Sequence, residues 1–230
     1  MFIFFDLDDT VLCFKKEEDV ALRKAFKEFG IEASEQNLSA YKTINKALWE
    51  KAGGIINDRN TIRICRFEQF FEKVKVDLTP EQGAEIYESK LAEGYAFMPL
   101  MPETLERLSQ KHRLFLATNG ITHIQKSRTQ NADINKYFEN KFVSEEIGYE
   151  KPKAEFFEYA MKKIPDFDIK KAIMVGDNLK ADVKGANGVG MASCWYNPEG
   201  KPNQTDVTPT YEISSYDQLY KIIEEIDSRR

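Results

Sequence analysis

Residues 2–5 are four apolar residues in a row, Phe2-Ile3-Phe4-Phe5, and they lead directly into Asp6-Leu7-Asp8-Asp9-Thr10. A short unbroken apolar run that stops at an acidic turn reads as a strand buried on both faces of a parallel sheet. Open sheets of that kind bind ligands beyond the C-terminal ends of their strands, which is where Asp6 and Asp8 stand. Alternation along an extended chain points both carboxylates to one side, so that one can attack as a nucleophile while the other handles protons. Taken alone, the stretch also fits a plain acidic turn, and the rest of the chain has to decide.

Similar runs recur. Leu114 to Ala117 precedes Thr118-Asn119-Gly120, Ala172 to Val175 precedes Gly176-Asp177, and Met191 to Tyr196 precedes Asn197-Pro198. Between them the apolar spacing is helical: Phe156, Phe157, Ala160, Met161 and Ile164 share a face after Pro152. Ser215 and Gln218 make a capping box ahead of Leu219, Ile222, Ile223 and Ile226. Strands alternating with helices predict an α/β core, Rossmann-like with a parallel sheet.

Residues 13–98 follow a different rule, because helical stripes occur there with no buried-strand run between them. Leu22, Ala25, Phe26 and Phe29 form one stripe, closed by Gly30; Tyr41, Ile44 and Leu48 form a second; Phe67, Phe70, Phe71 and Val74 form a third. Thr79-Pro80-Glu81-Gln82 combines a capping box with proline at the first helical position. The expected organisation is a core of residues 1–12 and 99–230 with a helical lobe, 13–98, inserted into it. Pro99 and Pro102 mark the return of the chain to the core.

Composition narrows the function. Lys and Arg number 33 against 38 Asp and Glu, a net charge of −5, so the chain carries no broad cationic field for a nucleic-acid polymer. No apolar stretch approaches the ~20 residues of a membrane span, and the acidic Asp6, Asp8 and Asp9 follow too soon for a signal peptide. Three cysteines without C-x-x-C spacing indicate neither a disulfide framework nor zinc, and His112 and His123 offer no zincin pair. The expectation is a cytoplasmic protein without membrane or nucleic-acid partners.

The later strand ends offer groups complementary to the two aspartates. Thr118 and Asn119 present a hydroxyl and an amide suited to phosphate oxygens, although such a strand end is also an ordinary turn. Lys151, in Gly148-Tyr149-Glu150-Lys151-Pro152, supplies a cation just before a helix. Asp177 and Asp182, in Gly176-Asp177-Asn178-Leu179-Lys180-Ala181-Asp182, add carboxylates suited to a hard cation such as Mg²⁺.

In this order, D-x-D-x-T at Asp6 to Thr10, Thr118, Lys151-Pro152 and G-D-x-x-x-x-D at Gly176 to Asp182 resemble the haloacid dehalogenase superfamily, whose members are mostly Mg²⁺-dependent phosphatases. The resemblance spans the chain, since the family places a helical cap where residues 13–98 lie. It implies Asp6 as a nucleophile that forms an aspartyl phosphate, and Asp8 as general acid and then general base. It implies Mg²⁺ held by Asp6, the backbone carbonyl of Asp8 and Asp177. Thr118, Asn119 and Lys151 would bind the phosphoryl group, and Asp182 would orient Lys151 or a metal-bound water. Asp8 would have to start protonated, its carboxyl raised by desolvation and neighbouring carboxylates. Asp8 also argues against a dehalogenase, which needs no leaving-group acid. Sugar-phosphate mutases and a noncatalytic binding protein on the same fold remain as alternatives.

The substrate signal is in the cap. Tyr41, Asn45 and Trp49 share a helical face, and Arg59, Arg63 and Arg66 nearly share another. Aromatic rings with an amide edge suit a nucleobase, while the same spacing also serves core packing. Tyr41, Asn45, Leu48 and Trp49, with Arg66-Phe67, Thr118-Asn119-Gly120 and Ala192 to Asn197, together resemble bacterial pyrimidine 5′-nucleotidases of the superfamily. The implied substrate is a small phosphomonoester, a pyrimidine nucleoside monophosphate, with Asn45 and Trp49 at the base. Phosphoglycolate-type and sugar-phosphate phosphatases are the alternative.

Overall fold

The computed structural model describes the backbone of residues 1–51 and 59–228, and side chains within it apart from residues 50, 51, 59 and 60. In chain order the strands are β1 (Phe2–Phe5), β2 (Arg113–Thr118), β3 (Asn140–Val143), β4 (Ala172–Gly176), β5 (Ala192–Tyr196) and β6 (Tyr211–Ile213). The helices are α1 (Phe14–Phe29), α2 (Glu35–Lys51), α3 (Arg59–Phe71), α4 (Pro80–Glu93), α5 (Met101–Ser109), α6 (Thr122–Asn131), α7 (Ser144–Ile147), α8 (Ala154–Lys163), α9 (Lys184–Gly188) and α10 (Tyr216–Ser228). The chain divides into two compact units, residues 1–14 with 95–230, and residues 15–94.

The first unit is built on one parallel sheet of order β3-β2-β1-β4-β5-β6. Alternation sorts its side chains into two cores. Ile3 and Phe5 of β1, with Leu114, Leu116, Ile173 and Val175, pack with Leu105 of α5 and Tyr216, Leu219 and Ile223 of α10. Phe2 and Phe4, with Phe115, Ala117, Phe142 and Met174, pack with Phe156, Phe157 and Ala160 of α8. Burial on both faces is why β1, β2, β4 and β5 read as continuous apolar runs. The edge strands β3 and β6 leave no such run, because Asn140 and Glu212 are exposed.

The second unit is helical. Phe26, Tyr41, Phe67, Phe70 and Tyr87 are all buried, with Phe26 and Phe70 stacked at 5.0 Å and Tyr41 edge-on to Phe70 at 5.7 Å. Gly30 closes α1 at φ +73°, a left-handed conformation that favours glycine, and Ile31 N–H donates to the Phe26 carbonyl at 2.9 Å. Thr79 and Gln82 form the reciprocal cap of α4. At α10, by contrast, the Gln218 side chain accepts from Ser214 N–H at 2.7 Å, closer than from Ser215 at 3.4 Å.

The unit boundaries fall a few residues from the expected 13 and 98. Cys13 N–H donates to the Ala96 carbonyl at 2.7 Å and Met98 N–H to the Val11 carbonyl at 3.1 Å, so the outgoing and returning segments pair as an antiparallel ribbon of the first unit. Of the cysteines, only Cys194 is buried; Cys13 and Cys65 are half-buried. Among the described residues no helix is long and apolar enough to cross a membrane.

Candidate active site

The strand order reverses on either side of β1, with β2 to one side and β4 to the other. In open α/β sheets ligands bind at such a switch point, beyond the C-terminal ends of the strands. Asp6 follows β1, Thr118 ends β2 and Asp177 follows β4, so the sheet alone delivers three site residues to one place. Asp6 keeps the alternation of Phe2 and Phe4, the face covered by α8, and Lys151 lies just before α8. Parity along β1 therefore brings the carboxylate to the lysine.

Lys151 is 3% exposed, and its Nζ donates to Asp6 Oδ1 and Asp182 Oδ1, both at 2.6 Å, and to the Ala117 carbonyl. The two carboxylates outweigh the burial that opposes its charge and hold the ammonium above its ordinary range. Burial pushes the Asp6 carboxyl up to about 8; Lys151 pulls it down, while Asp182 and Asp8 add to the rise. Asp177 is raised well above the usual carboxylate range by burial, then by Asp6, Asp182 and Asp9. Oxygens of Asp6, Asp177 and Asp182 lie within 4.8 Å of one another, an excess of anions facing one ammonium.

Asp182 is fixed from two sides: Oδ1 takes Lys151 and Oδ2 accepts from Asn178 N–H at 3.1 Å. Glycine at 176 is what lets it approach, since a Cβ there would lie 2.3 Å from Asp182 Oδ2. Thr10, the last residue of D-x-D-x-T, is buried and its hydroxyl accepts from Asp177 N–H at 3.1 Å, tying the β1 turn to the β4 turn. Tyr216 donates to the Thr10 carbonyl at 2.6 Å.

Thr118 is buried, its hydroxyl accepting from Gly120 N–H at 3.0 Å and Gln125 Nε2 at 3.2 Å. Asn119 behaves differently from the expectation that its amide holds phosphate. Its Nδ2 donates to the Lys151 carbonyl at 2.8 Å and its Oδ1 accepts from Lys151 N–H at 2.9 Å, so both ends of the amide brace the lysine backbone. Asp8 is gripped by two residues outside the four motifs, Gln125 and Arg128, both on α6. The sign that could have pointed to them is the composition of α6, whose buried face, Ile124, Gln125, Arg128 and Thr129, is mostly polar.

In the helical unit, Tyr41 is fully buried among Phe26, Phe67, Phe70 and Tyr87, so its ring is core and not a stacking platform. Asn45 is buried; its Nδ2 donates to Glu18 at 2.9 Å and its Oδ1 has no hydrogen-bond partner among the described residues. Trp49, two turns from Tyr41, is 36% exposed. Arg63 and Arg66 both pair with Glu88, and Arg66 lies over the Tyr87 ring at 4.8 Å, so these arginines organise the helical unit itself. The Arg59 side chain lies outside the described residues.

Residues 1–190 match the haloacid dehalogenase-like hydrolases, and all four motifs converge at the switch point within that span. The chain belongs to this family. As a haloacid dehalogenase-like hydrolase with pyrimidine 5′-nucleotidases among its relatives, it is a phosphatase. Among its relatives, YfnB of Bacillus subtilis, a hydrolase of the same superfamily, is 33% identical, with 96% of this chain and 94% of that protein covered. Pyrimidine 5′-nucleotidase PynA of Streptococcus pneumoniae is 35% identical over 95% of this chain and 92% of its own length. Pyrimidine 5′-nucleotidase YjjG of Escherichia coli is 27% identical over 96% of both chains. The crystal structure of YfnB, solved bound to magnesium, superposes with a TM-score of 0.91 over 96% of this chain and 97% of that one.

Proposed function

We propose that this phosphatase is a Mg²⁺-dependent 5′-nucleotidase for pyrimidine nucleoside and deoxynucleoside monophosphates, working through an aspartyl phosphate on Asp6. The observation that carries the chemistry is the pairing of Asp6 with Lys151 at 2.6 Å in a buried setting, beside Asp8, Thr118 and Asp177.

A carboxylate oxygen of Asp6 attacks phosphorus, the ester P–O bond breaks, and the proton of Asp8 goes to the departing oxygen. Water then attacks the phosphorus of the aspartyl phosphate and gives its proton to Asp8. The P–O bond to Asp6 breaks, inorganic phosphate leaves, and Asp8 is again protonated. Thr118 donates its hydroxyl hydrogen to a phosphoryl oxygen, and Lys151 balances charge on Asp6 and the phosphoryl group. Asp182 keeps Lys151 in place, and Asn119 holds the backbone that carries it.

The donor set fits magnesium: it is all oxygen, and its carboxylates lie close together in a setting where burial and their mutual repulsion raise Asp177. Asp6, Asp177 and the backbone carbonyl of Asp8 would hold the ion, with Asp182 reserved for Lys151. The ion supplies charge neutralisation between an anionic nucleophile and an anionic ester.

Substrate choice is assigned to residues 13–98. PynA and YjjG are pyrimidine 5′-nucleotidases and resemble this chain over nearly its whole length. The helical unit supplies a buried acceptor without a partner among the described residues, Asn45 Oδ1, and an exposed indole, Trp49, one turn along the same helix. N3–H of uracil or thymine is a donor for such an acceptor, and the base offers a face to the indole. The test is phosphate release from a panel of metabolites. UMP, dUMP and dTMP should exceed phosphoglycolate and hexose phosphates, and the reverse order rejects the nucleotidase reading while leaving the phosphatase.

A further inference from the structure

Arg128 is completely buried, an unfavourable place for a guanidinium unless charge and hydrogen bonds compensate it. Its Nη1 donates to Asp8 Oδ1 and, at 2.9 Å, to Gln125 Oε1. Gln125, one turn earlier on α6, donates from Nε2 to Asp8 Oδ2 at 2.7 Å and to Thr118 Oγ1 at 3.2 Å. Two side chains of one helix thus grip both oxygens of one carboxylate. The amide cannot turn over, because its own oxygen is held by the guanidinium. Backbone geometry makes room for it: a Cβ on Gly120 would lie 1.9 Å from Gln125 Nε2 and 2.5 Å from its Cδ.

We propose that Gln125 and Arg128 are positioning residues that set the direction of the Asp8 carboxylate relative to the Thr118 hydroxyl. The assignment rests on Asp8 being the group that protonates the leaving oxygen; the ion pair with Arg128 holds Asp8 as a carboxylate, so the clamp aims the group, and its proton is taken up when substrate binds. Asp8 projects from a tight turn, next to Asp9 at φ +53°, and 29% of its side chain is exposed. Without the clamp its two side-chain torsions would be free to carry the carboxyl off line. Proton transfer tolerates little of this, since a displacement of ~1 Å can cost about 10²-fold in rate. Gln125 also links the proton-transfer group to the phosphate-binding hydroxyl, so α6 fixes the distance between the two ends of the reaction.

The experiment compares kcat/KM for the best alkyl phosphate of the panel with that for p-nitrophenyl phosphate, whose leaving group departs without a proton. The variants are Gln125→Ala, Gly120→Ala, which displaces the Gln125 amide, and Arg128→Lys, whose shorter side chain ends before the Nη1 position that reaches both Asp8 and Gln125. Gln125→Ala and Gly120→Ala keep the test available if Arg128→Lys does not fold. The clamp predicts a loss of about tenfold or more on the alkyl ester and of less than about threefold on the aryl ester. Equal losses on both esters, or none on either, overturn it, because a merely structural role does not distinguish leaving groups. Asp8→Asn, measured alongside, should give the same split more strongly. Undiminished alkyl turnover by Asp8→Asn would reject the role of Asp8 itself, an outcome separate from failure of the clamp.

Discussion

Replacing Lys151 with methionine removes the one ammonium among three carboxylates while roughly preserving volume. At an effective dielectric constant of about 20, a charge pair at 2.6 Å attracts by about 6 kcal/mol, and the lysine makes two such pairs. With the lysine gone, Asp6, Asp177 and Asp182 repel one another by about 3.5 kcal/mol per pair at 4.8 Å, their greatest separation. Uptake of a single proton by the cluster abolishes two of the three repulsions. The observable cost is therefore closer to that of breaking a buried pair, about 3–5 kcal/mol, or a fall of about 6–20 °C in melting temperature for a chain of this size. Because a proton limits the damage, the fall should be larger at pH 8.5 than at pH 6. Differential scanning calorimetry in EDTA at the two pH values is the assay. A melting temperature unchanged at both, or a larger fall at the lower pH, would refute the claim that Lys151 is the charge anchor of the site.

Asp6→Asn should fold and lose turnover by about 10³-fold or more, measured as phosphate release; near-parental activity removes Asp6 as nucleophile. Chelation should stop turnover and Mg²⁺ restore it, with Asp177→Ala raising the Mg²⁺ concentration for half-activity more than Asp182→Ala does; the opposite order reverses their assigned roles. Burial pushes the Asp6 carboxyl up to about 8 in the metal-free fold, against about 3.9 in the unfolded chain, so the fold binds the extra proton and its stability falls as pH rises across that interval. Melting curves of Asp6→Asn in EDTA should show a flatter pH slope, and a slope as steep as the parent's contradicts the assignment. Trp49→Ala should lose about 1–3 kcal/mol of transition-state binding for UMP or dTMP while sparing p-nitrophenyl phosphate, and equal loss on both places the indole in packing alone.

The parts of this fold that were legible in the sequence are those where burial leaves a periodic mark. Phe2–Phe5 and Ala172–Val175 are apolar without a break because helices cover both faces of the sheet, and the residues that follow them could be placed at the C-terminal strand ends by position alone. The strands β3 and β6 left no mark because they are short and lie at the sheet edges, where Asn140 and Lys141 break the first and Glu212 the second. Helix α6 was illegible for the opposite reason. Its buried side chains include Gln125, Arg128 and Thr129, which hydropathy assigns to solvent and only the site explains. Tyr41 was legible as an aromatic on a helical stripe, but spacing could not separate a base platform from a core ring; its contacts with Phe67, Phe70 and Tyr87 make it core.

The central claim is that phosphate passes through Asp6, and trapping the intermediate tests it most directly. The protein is mixed with substrate, quenched in acid during turnover, reduced with borohydride to convert any acyl phosphate to an alcohol, digested and sequenced by mass spectrometry. The account predicts that the aspartate at position 6 alone is converted to homoserine, in a substrate-dependent way, with Asp8 unmodified. Conversion at another residue, or none while turnover proceeds with a detectable burst, would contradict it.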